Sequence, residues 1–205
     1  NGQKVFAWAD YDNGELKLEK LKSISHKYDG ESFKELYPIV KAESWIKSNQ
    51  NWYYQKQGQL VQKDWIKDKG TWYFMNDKGV MFNQTWLYQG SNWYAFKSSG
   101  AMIASDWLYD QGKWYYLSTS GAMIASDWLY DQGKWYYLST SGAMKASAWV
   151  YDKGEWYYVS SSGAMLANDW VKDNGKWYYL ASSGKMLRNT YTPDGYYVGN
   201  SGAWQ

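Results

Sequence analysis

From residue 45 onward, apolar and polar positions come in short alternating blocks. Aromatic runs such as "WLY" and "KWYYL" are separated by polar stretches rich in Gly, Ser and Asp. Runs of this length, bounded by turn residues, predict short strands. None approaches the roughly 18 apolar residues of a membrane-crossing helix.

The blocks recur with a fixed period. Residues 103–123 and 124–144 carry the same sequence, IASDWLYDQGKWYYLSTSGAM. Its first Trp falls at Trp45, Trp65, Trp86, Trp107, Trp128, Trp149 and Trp170, then as Tyr191, with steps of 20 and afterwards 21 residues. Seven residues later stands a second Trp: Trp52, Trp72, Trp93, Trp114, Trp135, Trp156 and Trp177. A Gly lies near the end of each repeat. Two residues beyond it comes Met81, Met102, Met123, Met144, Met165 or Met186, with Leu60 and Trp204 in that place in the terminal repeats. A period of this length marks a solenoid, in which each repeat buries surface against its neighbours.

Each repeat reads as a β-hairpin. In the repeat from Trp107, the two aromatic runs are separated by Asp110, Gln111 and Gly112, a three-residue loop with Gly at the position that needs positive φ. "STSG" then turns the chain toward the next repeat. Strand alternation puts Trp114 and Tyr116 on one face, Tyr115 and Leu117 on the other. The last repeat, "NTYTPDGYYVGNSGAWQ", is two residues short and keeps Tyr196 and Tyr197.

Residues 1–44 fall outside the repeat. Asp12, Asn13 and Gly14 followed by Leu16 and Leu18 predict a degenerate hairpin. Phe33, Leu36, Tyr37 and Val40 have helical spacing, which Pro38 would kink or end. The chain thus divides into a non-repeat segment, 1–44, and a repeat module, 45–205.

Composition sharpens this picture. Aromatics make up 21% of the 205 residues, with 16 Trp and 22 Tyr, which is the main departure from ordinary usage. A net charge of +2 points to no polyelectrolyte partner. Without Cys there is no disulfide framework and no thiolate metal site; no metal and no cofactor are expected. No signal-peptide pattern opens the chain, and Asn1 reads as a boundary set either by processing or by the choice of the expressed segment.

Two indoles on one hairpin and a phenol ring from the next form a three-walled box. Such a box has few oxygen or nitrogen ligands for a metal, and it suits a weakly hydrated cation. Aromatic cages for quaternary ammonium groups gain roughly 0.5–2 kcal/mol per ring contact. A single box then binds at about millimolar strength. Several boxes facing a polymer of the same ligand bind tightly through effective concentration, which gives the repetition a purpose.

The pattern of two Trp, a WYY run and a closing Gly-Ala-Met resembles the choline-binding, or cell-wall-binding, repeats of Gram-positive surface proteins and phage lysins. The resemblance covers residues 45–205. It implies a left-handed β-solenoid of stacked hairpins. It also implies secretion to the bacterial cell surface and non-covalent anchoring there through phosphocholine groups of teichoic and lipoteichoic acids.

In the family, a box takes both Trp of one repeat and the last aromatic of the WYY run in the next. Carried over, the boxes are Trp86, Trp93 and Tyr116; Trp107, Trp114 and Tyr137; Trp128, Trp135 and Tyr158; Trp149, Trp156 and Tyr179; and Trp170, Trp177 and Tyr197. Met102, Met123, Met144, Met165 and Met186 would floor them in that order. Two boxes depart from the pattern. Trp45 and Trp52 would take Phe74, a wall without a hydroxyl. Trp65 and Trp72 would take Ala95, so that site is expected to be weak or empty.

Rival functions fit less well. Glucan-binding repeats also use Trp and Tyr, but sugars need hydrogen-bonding partners that the aromatic seams lack. An enzyme would need more than His26 and the carboxylates Asp10, Asp12, Glu31 and Glu35 on 44 residues with little core. A hydrolase whose catalytic domain lies outside the chain stays open, as do host-protein contacts through residues 1–44 and dimerisation. Single-strand nucleic-acid binding lacks a basic stripe.

Overall fold

The computed structural model describes residues 10–12 and 15–17 as backbone, and residues 43–205 in full. The helix expected from Phe33, Leu36, Tyr37 and Val40 lies outside the described residues. So do His26, Glu31 and Glu35. Contacts divide the chain into two compact units, residues 1–103 and 104–205.

Among the described residues every regular element is a strand, and the repeats are antiparallel hairpins. In the first unit Ser44–Ser48 pairs with Asn51–Lys56, Asp64–Asp68 with Thr71–Met75, and Trp86–Gln89 with Asn92–Ala95. Asp10–Asp12 pairs antiparallel with Glu15–Lys17, which runs parallel to Ser44–Ser48 and so joins the sheet of the first hairpin. In the second unit the pairs are Asp106–Asp110 with Lys113–Leu117, Asp127–Asp131 with Lys134–Leu138, Ala148–Asp152 with Glu155–Val159, and Asp169–Asp173 with Lys176–Leu180. The shortened repeat contributes Thr190–Tyr191 with Tyr197–Val198.

The hairpin loop is tighter than the expected three residues. Asp110 pairs directly with Lys113, which leaves Gln111 and Gly112 as a two-residue turn with φ of 47° and 80°. Two consecutive positive φ values are the mark of the type I′ turn, whose twist matches that of the strands. A left-handed Gln costs about 1 kcal/mol relative to a residue that tolerates this region. Asn tolerates it, and Asn174–Gly175 already supplies the favoured pair in the hairpin ending at Leu180. Gln132→Asn is therefore expected to stabilise the second unit by roughly 0.5–1 kcal/mol. A thermal melt checks this; a lowered midpoint contradicts it.

Register assigns the two faces. Trp107 lies opposite Tyr116 and Tyr109 opposite Trp114 on one face; Leu108 lies opposite Tyr115 on the other. Leu117, Leu138, Val159 and Leu180 are fully buried, as is Met75 in the first unit. These aliphatic positions, one per hairpin, carry the core.

Hairpins are tied to their successors by the Gly-Ala-Met segment. In the repeat 124–144, Gly142 N–H donates to the Ser139 carbonyl and closes a turn. Met144 bridges Leu138, and its N–H donates to the carbonyl of Trp114 in the preceding hairpin at 2.8 Å. Met165 and Trp135, Met186 and Trp156, and Trp204 and Trp177 repeat this bond. Gly142 has φ of 80°, and a Cβ there would run into the thioether of Met123. The closing Gly is thus required twice, for backbone conformation and for the packing of the previous repeat's Met.

Candidate functional site

Each first Trp sits at the base of its hairpin, half-buried, and gathers rings around it. Trp107 meets Trp114 at 6.4 Å between centroids with the planes at 89°. It meets Tyr116 of its own hairpin at 5.2 Å and Tyr136 of the next at 5.2 Å. The same relation to the following hairpin joins Trp45 to Tyr73, Trp65 to Tyr94, Trp128 to Tyr157, Trp149 to Tyr178 and Trp170 to Tyr196. The second Trp stands further out: Trp114 and Trp135 are 44% exposed. Two perpendicular indoles and a phenol ring leave an open corner lined by ring faces and edges, the geometry that holds an alkylated cation.

The ring that comes from the next hairpin is the middle aromatic of its WYY run, not the last. Tyr137, expected beside Trp107, packs on Trp128 of its own hairpin at 5.1 Å, and the Lys145 ammonium lies 5.7 Å from its ring centroid. Tyr158 packs on Trp149, Tyr179 on Trp170 and Tyr197 on Tyr191 in the same way. The reason is parity. Successive hairpins meet through opposite faces, so the approaching ring must lie on the face opposite its own hairpin's Trp pair. Tyr136 does; Tyr137 shares the face of Trp135.

The ring contacts at the two departing boxes follow the same pattern. Trp65 faces Tyr94 at 5.0 Å, and Ala95 is a core residue at 1% exposure. Trp45 faces Tyr73 at 4.8 Å, while Phe74 packs on Trp65. The seam of Trp65 and Trp72 is therefore expected to fill with choline alongside the others. Ala95→Tyr should overpack the core and destabilise by about 1–3 kcal/mol instead of restoring a site. Occupancy beside Trp65 in a choline titration, together with a melt of the variant, tests both statements.

The set Trp86, Trp93 and Tyr116 draws on both units. Within their own hairpins, Trp86 meets Trp93 at 6.4 Å and Tyr116 packs on Trp107. Each Met expected as a floor takes part in a seam by a different route. The Met123 thioether lies against Gly142, and Met144 and Met165 likewise lie against Gly163 and Gly184. It is the backbone of Met144, one repeat further on, that borders Trp114.

One feature of the seam was missed in the sequence. The indole N–H of Trp107 donates to the carboxylate of Asp131 in the next hairpin at 3.0 Å. Trp45 does the same to Asp68, Trp149 to Asp173 and Trp170 to Asp194. Trp65 instead donates to the neutral amide oxygen of Gln89. The hydrogen bonds from Thr192 and then Trp170 hold the Asp194 carboxyl below the usual Asp range. The signal was available, since an Asp precedes almost every hairpin turn at the repeat period.

Outside these corners, Tyr109 and Tyr130 lean on Trp114 and Trp135 at 5.0 Å on the side toward the turn. In other repeats a Lys takes that place, as Lys67 does 5.4 Å from the Trp72 ring centroid. Among the described residues no group of three or more His, Asp or Glu side chains converges as metal ligands would. No described helix is long and apolar enough to cross a membrane.

Comparison with known proteins agrees with this architecture. Residues 143–178 and 164–204 match the family described as "Choline-binding repeat". Residues 63–81, 84–102, 105–123 and 126–144 match the family described as "Putative cell wall binding repeat". The chain is similar to the structure of choline binding protein F from Streptococcus pneumoniae, with 37% identity, 80% of this chain and 58% of that one covered, and a TM-score of 0.64. It is similar to CbpJ of the same organism at 37% identity, with the same coverage and a TM-score of 0.67. The modular autolysin LytC of Streptococcus pneumoniae matches at 31% identity over 80% of this chain and 42% of that one, with a TM-score of 0.57. Comparison with individually curated sequences gives no match.

The chain belongs to the choline-binding repeat family, an all-β solenoid of stacked hairpins. Its repeats form a choline-binding module associated with the cell wall and the cell surface, and they are a binding element, not a catalytic one. The chain spans under three-fifths of the length of choline binding protein F and of CbpJ.

Proposed function

We propose that the module anchors its protein non-covalently to the bacterial envelope by holding phosphocholine groups of teichoic and lipoteichoic acids in the aromatic corners. The supporting observation is the recurrence of one geometry at six seams, a first Trp meeting the middle aromatic of the next hairpin. Each corner with its second Trp takes one trimethylammonium group. Several corners on one polymer turn weak sites into firm attachment. The protein so anchored is a surface adhesin or another surface protein larger than this chain.

The exposed Tyr and Trp pairs near the turns, with Tyr109 at 58% and Tyr130 at 59%, favour a second reading as a glucan-binding surface, because sugars stack on such rings. One experiment separates the two. The chain should be retained on a quaternary-amine resin and released by free choline at millimolar to molar concentration. Release by soluble glucan but not by choline would replace the anchoring role with the glucan one.

A further inference from the structure

The carboxylates that hold the indoles do more than orient them. We propose that Asp131, and Asp68, Asp173 and Asp194 at their own seams, are specificity-determining residues that make each corner select a cation over a neutral group of the same shape. This rests on the cage reading above and adds to it the source of charge selectivity.

The geometry carries the argument. Asp131 accepts the Trp107 N–H at 3.0 Å, so the carboxylate lies at the rim of the indole, near its plane. A cation seated on the ring face then sits about 6–7 Å from it, given ordinary ring-to-cation distances. At that range and in a half-wet site, the attraction changes affinity about threefold to fivefold. A charged acceptor on the N–H also pushes electron density into the indole, which strengthens the ring's hold on a cation. Lys134, directly across the strand from Asp131, is exposed, and water weakens its opposing effect. The carboxylate's field reaches the neighbouring rings: Tyr116 is raised above the usual phenol range, first by burial and then by Asp131 and Asp106.

The protein contains its own contrast. At the Trp65 seam the acceptor is Gln89, whose cross-strand partner is Asn92, so this pair carries no charge. The contacts with the second Trp and the next hairpin match, with Trp72 at 6.3 Å and Tyr94 at 5.0 Å, but the Lys67 ammonium lies 5.4 Å from the Trp72 ring centroid, where the Trp107 seam has Tyr109. A cation should therefore prefer the Trp107 seam, and the carboxylate's own share of that preference is read from substitutions that leave the rings and Lys67 in place.

The test uses the full chain labelled with 5-fluorotryptophan, with the fluorine resonances of Trp65 and Trp107 assigned by single Trp→Phe substitutions. Choline and its neutral isostere 3,3-dimethylbutan-1-ol are titrated in turn. In the unmodified chain, Trp107 should reach half-shift at about threefold less choline than Trp65 or lower still, and the alcohol should distinguish them less than choline does. Asp131→Asn keeps an acceptor for the indole and removes the charge; it should weaken choline at Trp107 about threefold and leave the alcohol unchanged. Gln89→Asp should tighten choline at Trp65 by a similar factor. An unchanged choline midpoint in Asp131→Asn overturns the proposal. So does a parallel loss of both ligands, which would reduce Asp131 to a positioning residue. If the unmodified chain shows no choline shift at any seam, the cage reading falls, and this proposal with it.

Discussion

Tyr136→Ala will weaken choline at the Trp107 seam about tenfold, and Tyr137→Ala will leave that seam nearly intact. Removing a ring from a three-walled corner deletes one cation contact and its apolar cover, about 1–2 kcal/mol. Tyr136 is the ring that meets Trp107, whereas Tyr137 lies on Trp128 with Lys145 over it. The effect of Tyr137→Ala should appear one repeat further on, as a loosened Trp128 and a lower melting point. Site-resolved choline titration of both variants reads this directly. A greater loss at the Trp107 seam from Tyr137→Ala would move the third wall back to the last aromatic of the run.

The second large effect concerns the two Trp of one hairpin, which do different work. Trp107 is a hub: it touches Trp114, Tyr116 and Tyr136 and donates to Asp131. Trp107→Ala should remove a wall, strand those rings and destabilise the second unit by about 3–5 kcal/mol. Trp114 is 44% exposed and stacks mainly with Tyr109, itself exposed. Trp114→Ala should abolish choline at its seam at a cost of only about 1 kcal/mol in stability. Denaturant unfolding and calorimetric site counts on the two variants separate the roles. Equal destabilisation would show that Trp114 is as much core as Trp107.

The hairpins were legible because their signal is local. Paired aromatic runs around a Gly, repeated every 21 residues, fix strand, turn and period without knowledge of neighbours. The loop length was misread by one residue because Asp110, a common turn residue, pairs with Lys113 at the end of the ladder. The ring contact between hairpins falls one residue from the expected third wall because alternation was applied within one hairpin. The corner forms between two hairpins that meet through opposite faces, so the ring it needs has the other parity. That reversal depends on the stacking of repeats. The expectation that Ala95 leaves a gap came from the same alternation: the position faces Trp86 across its own hairpin and belongs to the row of Tyr54, Phe74 and Tyr179, which are buried against the first Trp of their own hairpins. The Asp–indole bonds were hidden differently, since a periodic Asp beside a turn reads first as turn chemistry.

We expect the chain to hold a quaternary ammonium group at the seams within each unit, walled by two Trp and the middle aromatic of the following hairpin. A crystal structure of the chain with choline decides this. Density is expected for a trimethylammonium group bounded by Trp107, Trp114 and Tyr136, repeated with Trp149, Trp156 and Tyr178, and present also with Trp65, Trp72 and Tyr94. Choline seated elsewhere, against Tyr137 or on the exposed Tyr109 and Tyr130 while these corners stay empty, would contradict it.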